Sequence, residues 1–230
     1  SAASDVYKRQ TIYKYRLFLA IFISIAFLTL LLFYTALTPK KTLPIFQPND
    51  VNYELVDSSI QHVKRFHKIK SFEFLNQNGE IVSEKDYNGF IYVADFFFTT
   101  CPSICPIMTD NMVKIQNYIK DKKKVKLLSF SVTPEIDSVP VLKEYSVKKG
   151  VDDKYWNLLT GEKSKIYSLA RKSFLVVKEN ADSNTHDMIH TENFVLVDKE
   201  KRIRGFYDGT DDKDIQVLKK EIDILIEEYN

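Results

Sequence analysis

The sequence predicts an α/β domain built on a mixed sheet with helices on both faces, preceded by one N-terminal transmembrane helix. Three observations carry this expectation. Leu17 to Leu37 is a run with no charge, no Gly and no Pro. Beyond it, short apolar runs of strand length alternate with segments of helical period, the pattern of strands and helices laid on one sheet. The chain then closes with a hairpin pattern and an amphipathic helix, Ile215, Leu218, Ile222, Leu225 and Ile226 tracing one face.

Taken in order, residues 1–16 form a short cytoplasmic tail. Residues 1–10 start without Met and show no apolar period, so they read as a fragment start, an expression scar or a disordered tail. Residues 17–37 follow as the anchor: at about 1.5 Å per residue the run matches a hydrocarbon core of about 30 Å. A cleaved signal peptide would have a shorter apolar region ending in a small-x-small site, and this run ends Tyr34-Thr35-Ala36-Leu37-Thr38-Pro39. Lys8, Arg9, Lys14 and Arg16 outnumber Lys40 and Lys41 across the span, which keeps the N-terminus inside. The expected location is therefore the cytoplasmic (inner) membrane, single-pass, with the globular part on the periplasmic side.

Residues 38–66 carry Pro39, Pro44 and Pro48 with few periodic apolar positions, and are expected to be an extended tether. The domain proper is assigned to residues 67–230. Ile69 to Leu75, the turn Asn76-Gln77-Asn78-Gly79 and Glu80 to Ser83 read as a hairpin. Phe90 to Phe98 is nearly continuous apolar sequence, as a strand covered on both faces requires. Helical spacing runs from Ile104 through Met108, Met112, Ile115 and Ile119 into the lysines of 120–126, most simply a solvated helix end. Val125 to Val132 is a second buried strand, Val139 to Gly150 a helix closed by Gly150, Trp156 to Leu159 a short strand and Glu162 to Lys172 another helix. Phe194 to Val197 and Ile203 to Tyr207 form the second hairpin.

Net charge is +2 over 230 residues, but the first 41 hold six basic residues against Asp5 alone. The slightly acidic remainder, with its charges interspersed, gives no reason to expect a nucleic-acid partner, which would need a basic face. Two cysteines exclude a disulfide-stapled scaffold and a four-cysteine zinc site.

Both cysteines lie in Thr99-Thr100-Cys101-Pro102-Ser103-Ile104-Cys105-Pro106, where an apolar strand gives way to a helix. A helix start leaves unpaired N–H groups that favour thiolate over thiol, and the prolines stiffen the turn. At a spacing of four, one helical turn brings the Cα atoms to roughly 6 Å, suited equally to a disulfide or to two sulfurs on one soft ion. The pair is thus redox-active, metal-binding or a structural bridge. A trigonal copper site needs a third ligand, usually imidazole. His62 and His67 precede the domain core; His186 and His190 are the candidates, and His190 directly precedes a strand. The rival reading of His190 is an ordinary loop or core histidine.

These motifs, with Phe130-Ser131-Val132-Thr133-Pro134-Glu135-Ile136-Asp137, Val141-Leu142-Lys143-Glu144-Tyr145, Leu159-Thr160-Gly161 and Arg204-Gly205-Phe206-Tyr207-Asp208-Gly209-Thr210, resemble the Sco/SenC family over roughly residues 68–229. The resemblance implies a membrane-anchored, thioredoxin-like copper-binding domain that assists assembly of the CuA centre of cytochrome c oxidase. It implies Cys101, Cys105 and His190 as ligands of copper, as Cu(I) and also as Cu(II). Many members carry an acidic residue where this chain has Ser103; Asp187 is an alternative nearby carboxylate, or a solvated loop acid. The implied partners are the oxidase subunit bearing the CuA site and a thiol reductant, because an oxidising compartment turns the pair into a disulfide by default. A metallochaperone is favoured over an enzyme. The alternative is a thioredoxin-like thiol-disulfide oxidoreductase acting through Cys101 and Cys105; a peroxidase would need an Arg in the motif, and none is there. Trp156, Phe96 to Phe98, Met108 and Met112 read as core, Asp208-Gly209-Thr210 as turn and N-cap, and Asp95 as a buried acid whose partner the sequence does not name.

Overall fold

The computed structural model describes residues 15–38, 41–176 and 191–229. The chain divides into two units, 1–41 and 42–230. In the first, the uncharged run folds as a single helix, α1 (Arg16–Leu37), with no buried side chain and with length and hydropathy sufficient to cross a membrane.

Among the described residues of the second unit the alternating pattern becomes seven strands and four α-helices. They are β1 (Glu73–Asn76), β2 (Ile81–Ser83), β3 (Ile91–Phe97), α2 (Ile104–Ile119), β4 (Val125–Ser131), α3 (Val139–Lys149), β5 (Trp156–Thr160), α4 (Lys163–Leu169), β6 (Asn193–Val197), β7 (Ile203–Asp208) and α5 (Asp212–Glu228). The sheet order is β2-β1-β5-β4-β3-β6-β7. Parallel β3, β4 and β5 form its centre, and antiparallel neighbours flank them. Every residue of β3 is buried, as its unbroken apolar run requires of a strand covered on both faces.

Local chemistry explains the boundaries. Asn76 turns the first hairpin by accepting the N–H groups of Asn78 and Glu80 on its side-chain oxygen, and Gly79 takes the left-handed φ of +77°. Gly150, at φ +72°, ends α3 by donating to Ser146 and Val147. The helix expected from Glu162 to Lys172 is α-helical only to Leu169. A π turn, Ala170–Phe174, follows, burying Phe174 edge-on against Phe96.

The stretch 42–66, expected as an extended tether, is packed in part. Leu43 and Val56 are buried, Phe46 bridges to Ile203, and the side-chain oxygen of Gln47 accepts the His67 N–H. The reason lies far along the chain. Arg204, 3% exposed, donates to the carbonyls of Leu43 and Pro44 and to the carboxylates of Asp198 and Glu228. Glu228 in turn accepts the Leu43 N–H. Removing one partner from such a buried set leaves charge uncompensated, so Arg204→Ala is expected to lose about 3–5 kcal/mol of stability. Urea denaturation of the two proteins checks this; a loss within the range of a surface substitution would refute the clamp.

Candidate metal centre

Because β3 and β4 are parallel and paired from Ile91↔Val125 to Phe97↔Ser131, their carboxyl ends emerge side by side. The loop after β3 carries Cys101, and the chain then turns into α2, which carries Cys105. Asp137, fully buried, joins the two loops. Its carboxylate accepts the Thr99 N–H (3.2 Å) and the hydroxyls of Thr99 (2.5 Å), Ser131 (2.6 Å) and Thr133 (3.1 Å). Four donors satisfy a charge that burial otherwise makes costly. The segment two residues before Cys101 is thereby fixed.

Both cysteines are free thiols, 7% and 3% exposed. The Cys105 N–H donates to Cys101 Sγ at 3.5 Å, and the Ser103 hydroxyl lies 3.9 Å from the same sulfur. Burial works to raise the Cys101 thiol, but the N–H groups of Cys105 and Ser103 outweigh it and hold the thiol below its ordinary value. Cys105 has the opposite balance: burial, reinforced by the Cys101 sulfur and the Asp95 carboxylate, pushes it up to about 12. Thr109 donates to the Cys105 carbonyl and meets the Tyr145 hydroxyl at 2.7 Å, tying α2 to α3 beside the second sulfur. Two free thiols, one in the loop ahead of α2 and one in its first turn, joined by the Cys105 N–H to Cys101 Sγ contact and one of them with a lowered pKa, form a donor pair suited to a soft ion.

The other sequence candidates sort as follows. Asp95 is buried, and burial raises its carboxyl to about 7; the partner the sequence does not name is the Ser129 hydroxyl of β4, directly across the parallel ladder. Trp156 donates to the same hydroxyl at 2.8 Å, so its indole supports this cross-strand contact. One Asp95 oxygen has no hydrogen-bond partner among the described residues. Met108 and Met112 are fully buried core. Asp208 forms the expected turn by accepting from Thr210, but the N-cap of α5 is Asp211, which accepts the Lys213 N–H. His67 is a structural histidine, donating through Nε2 to the Ser173 carbonyl at 2.8 Å, and burial lowers its pKa. His62 is exposed. His186, Asp187 and His190 lie outside the described residues. Among the described residues no group of three or more His, Cys, Asp or Glu is placed to hold a metal. Asp137 and Ser129 escape sequence reasoning as site residues, although Asp137 closes the Phe130–Asp137 motif.

A mixed sheet with a CxxxC pair at the strand-to-helix turn defines a thioredoxin-like dithiol protein. The chain belongs to the SCO1/SenC family, whose sequence profile matches residues 61–226. It is 33% identical over 147 residues to a SCO1 protein homolog of Bacillus subtilis, covering 63% of this chain and 76% of that one. The solved structure of BsSco, described as a Sco-family cytochrome c oxidase assembly protein with a disulfide switch, is similar at TM-score 0.59 and 30% identity, over 70% of this chain and 94% of that one. Arabidopsis thaliana ScoI, solved with copper bound, is similar at TM-score 0.55 and 28% identity, over 67% of this chain and 97% of that one.

The unequal thiols give a pH test. In Cys105→Ser protein, alkylation of Cys101 should reach half its maximal rate below the pH of an ordinary thiol. In Cys101→Ser protein, Cys105 loses the repulsion of its neighbour but keeps its burial, and should require a pH well above ordinary. Rates of iodoacetamide labelling against pH check this, and coincident profiles would overturn the asymmetry.

Proposed function

We propose that the chain is a membrane-anchored copper metallochaperone that assists assembly of the CuA centre of cytochrome c oxidase, holding copper as cargo through Cys101, Cys105 and His190. The observation that carries the reading is the free dithiol, with Cys101 held toward thiolate by backbone N–H groups at the mouth of α2. Membership of the family supports it, as do the copper found in the Arabidopsis relative and the assembly role given to BsSco.

The residues divide the work. Cys101 presents the sulfur that gives up its proton more readily; Cys105 must release its proton as metal arrives, which couples uptake to pH. Asp137 keeps the Cys101 loop in one geometry, so the sulfurs do not have to be organised by the ion. Thiolates favour Cu(I), and an imidazole lets the same site hold Cu(II). His190 is favoured as that imidazole because it precedes Thr191, a buried residue leading into β6. β6 runs antiparallel to β3 with Ala94 opposite Val195, so its first residues lie toward the cysteine end of β3. The proposed setting is a single-pass anchor in the cytoplasmic membrane with the N-terminus inside and the domain on the periplasmic side, where a thiol reductant must keep the pair open. The oxidase subunit carrying CuA is the proposed recipient.

The unequal thiols also favour a second reading, a thiol-disulfide oxidoreductase that reduces cysteines of a partner, with Cys101 attacking and Cys105 resolving. Competition titration of the reduced chain with Cu(I) against a chelator separates the two. The metallochaperone should take up one copper per chain and lose it in Cys101→Ser or Cys105→Ser. His190→Ala should weaken binding beyond the roughly 10- to 100-fold that follows loss of a hydrogen-bond partner around a metal ligand, while Cys101 alkylation is unchanged. No stoichiometric uptake by the reduced wild type would sink the copper reading in favour of the oxidoreductase.

A further inference from the structure

The end of the sheet opposite the cysteines carries a feature that the copper reading leaves unused. There, below the amino ends of β3 and β4, a cleft of about 460 Å³ is lined by Lys120, Lys122, Lys123, Lys124, Lys126 and Lys154, with Asp121 its only acid. Lys120, Lys123 and Lys124 are exposed and form no ion pair among the described residues. Aromatic rings stand beneath the charges: Lys126 lies 4.2 Å from the centre of Phe90, Lys122 4.3 Å from Tyr118 and Lys154 4.9 Å from Tyr155. Lys124 sits at φ 66°, as does Lys201 in the β6–β7 turn at the same end. Gly or Asn takes that conformation more cheaply, so both turns keep a cation at a local cost of about 1 kcal/mol. Lysines interleaved with aromatic rings are the side-chain set of a membrane–water interface.

The path of the chain identifies the occupant. Leu43 is clamped to Glu228 and Arg204, and Phe46 to Ile203, all at this same end, since Ile203 opens β7 opposite Val197, whose β3 partner is Tyr92. Only five residues separate Leu43 from Leu37, the last of α1, a reach of at most about 20 Å. A domain joined to a bilayer by so short a link meets the headgroups first with the surface around Leu43.

We propose that the lysine-rich end is a docking surface for the anionic lipid headgroups of the membrane that α1 enters, a contact that turns the cysteine end outward; it rests on reading α1 as a retained anchor. Near a charged leaflet each lysine contributes about 1 kcal/mol, so the contact is selective for lipid charge and is screened by salt.

The test uses the full chain in nanodiscs of phosphatidylcholine alone or mixed with phosphatidylglycerol, with lysine acylation rates resolved by mass spectrometry. Lys120, Lys123 and Lys124 should be acylated about fivefold more slowly in the anionic discs, with protection lost at high salt. Lys165, exposed on α4, should label equally in both. In the triple variant Lys120→Glu, Lys123→Glu, Lys124→Glu, the remaining Lys154 should lose its protection. Equal rates in the two lipids overturn the docking surface, and so does equal protection by inorganic phosphate added to neutral discs, which would mark a small-anion site. Release of the chain from the discs by alkaline carbonate overturns the anchor instead, and acylation read before that wash still decides the docking.

Discussion

The parallel pairing of β3 with β4 is the constraint on which the site depends. Seven residue pairs in register leave no freedom in where the two strands end, and both strands are almost wholly buried. A one-residue slip would turn Asp95 away from Ser129 and withdraw Thr99 from Asp137. The ladder thus brings together two loops that are more than thirty residues apart in sequence, and the Asp137 carboxylate locks them. A buried carboxylate with four donors is a rigid joint, because loosening any one contact leaves a charge partly unsatisfied in a medium of low dielectric.

The difference between the two sulfurs follows from their places on that frame. Cys101 precedes the helix and receives the N–H groups that the first turn of α2 cannot use internally; Cys105 lies within the turn, its sulfur packed toward the core with Asp95 and Tyr145 nearby. Neither position is unusual for a cysteine. What distinguishes the pair is that a thiol with a lowered pKa, just ahead of the helix, sits beside one with a raised pKa in its first turn, which serves either stepwise metal uptake or a directional disulfide exchange.

Much of this was legible in the sequence because it is local. The runs Phe90 to Phe98 and Val125 to Val132 became β3 and β4, Gly150 ended its helix, and the CxxxC pair fell at the strand-to-helix turn. What escaped depends on residues distant along the chain. Asp95 is answered by Ser129 across the ladder, and the prolines of 38–66 read as a free tether until Arg204 is seen to hold Leu43 and Pro44. The π turn after α4 carries no sequence mark, since Ala170 to Phe174 is as compatible with continued helix as with the wider turn that packs Phe174 on Phe96. His190 was reached through resemblance more than pattern, and a lone histidine ahead of a strand has no local signature of ligation.

The clamp at Leu43 also fixes an order of events. The Leu43 N–H is bonded to Glu228, 185 residues further on, so during vectorial synthesis this contact forms only after all the residues between them have been made. Until then the segment following α1 has no C-terminal helix to receive it, and Arg204, Asp198 and the sheet edge must be in place first. Closure of the loop from 43 to 228 is thus a late step in folding, entropically demanding because of its length. The dithiol frame draws on strands closer in sequence, β3 and β4, whereas the seating of Leu43 waits for α5.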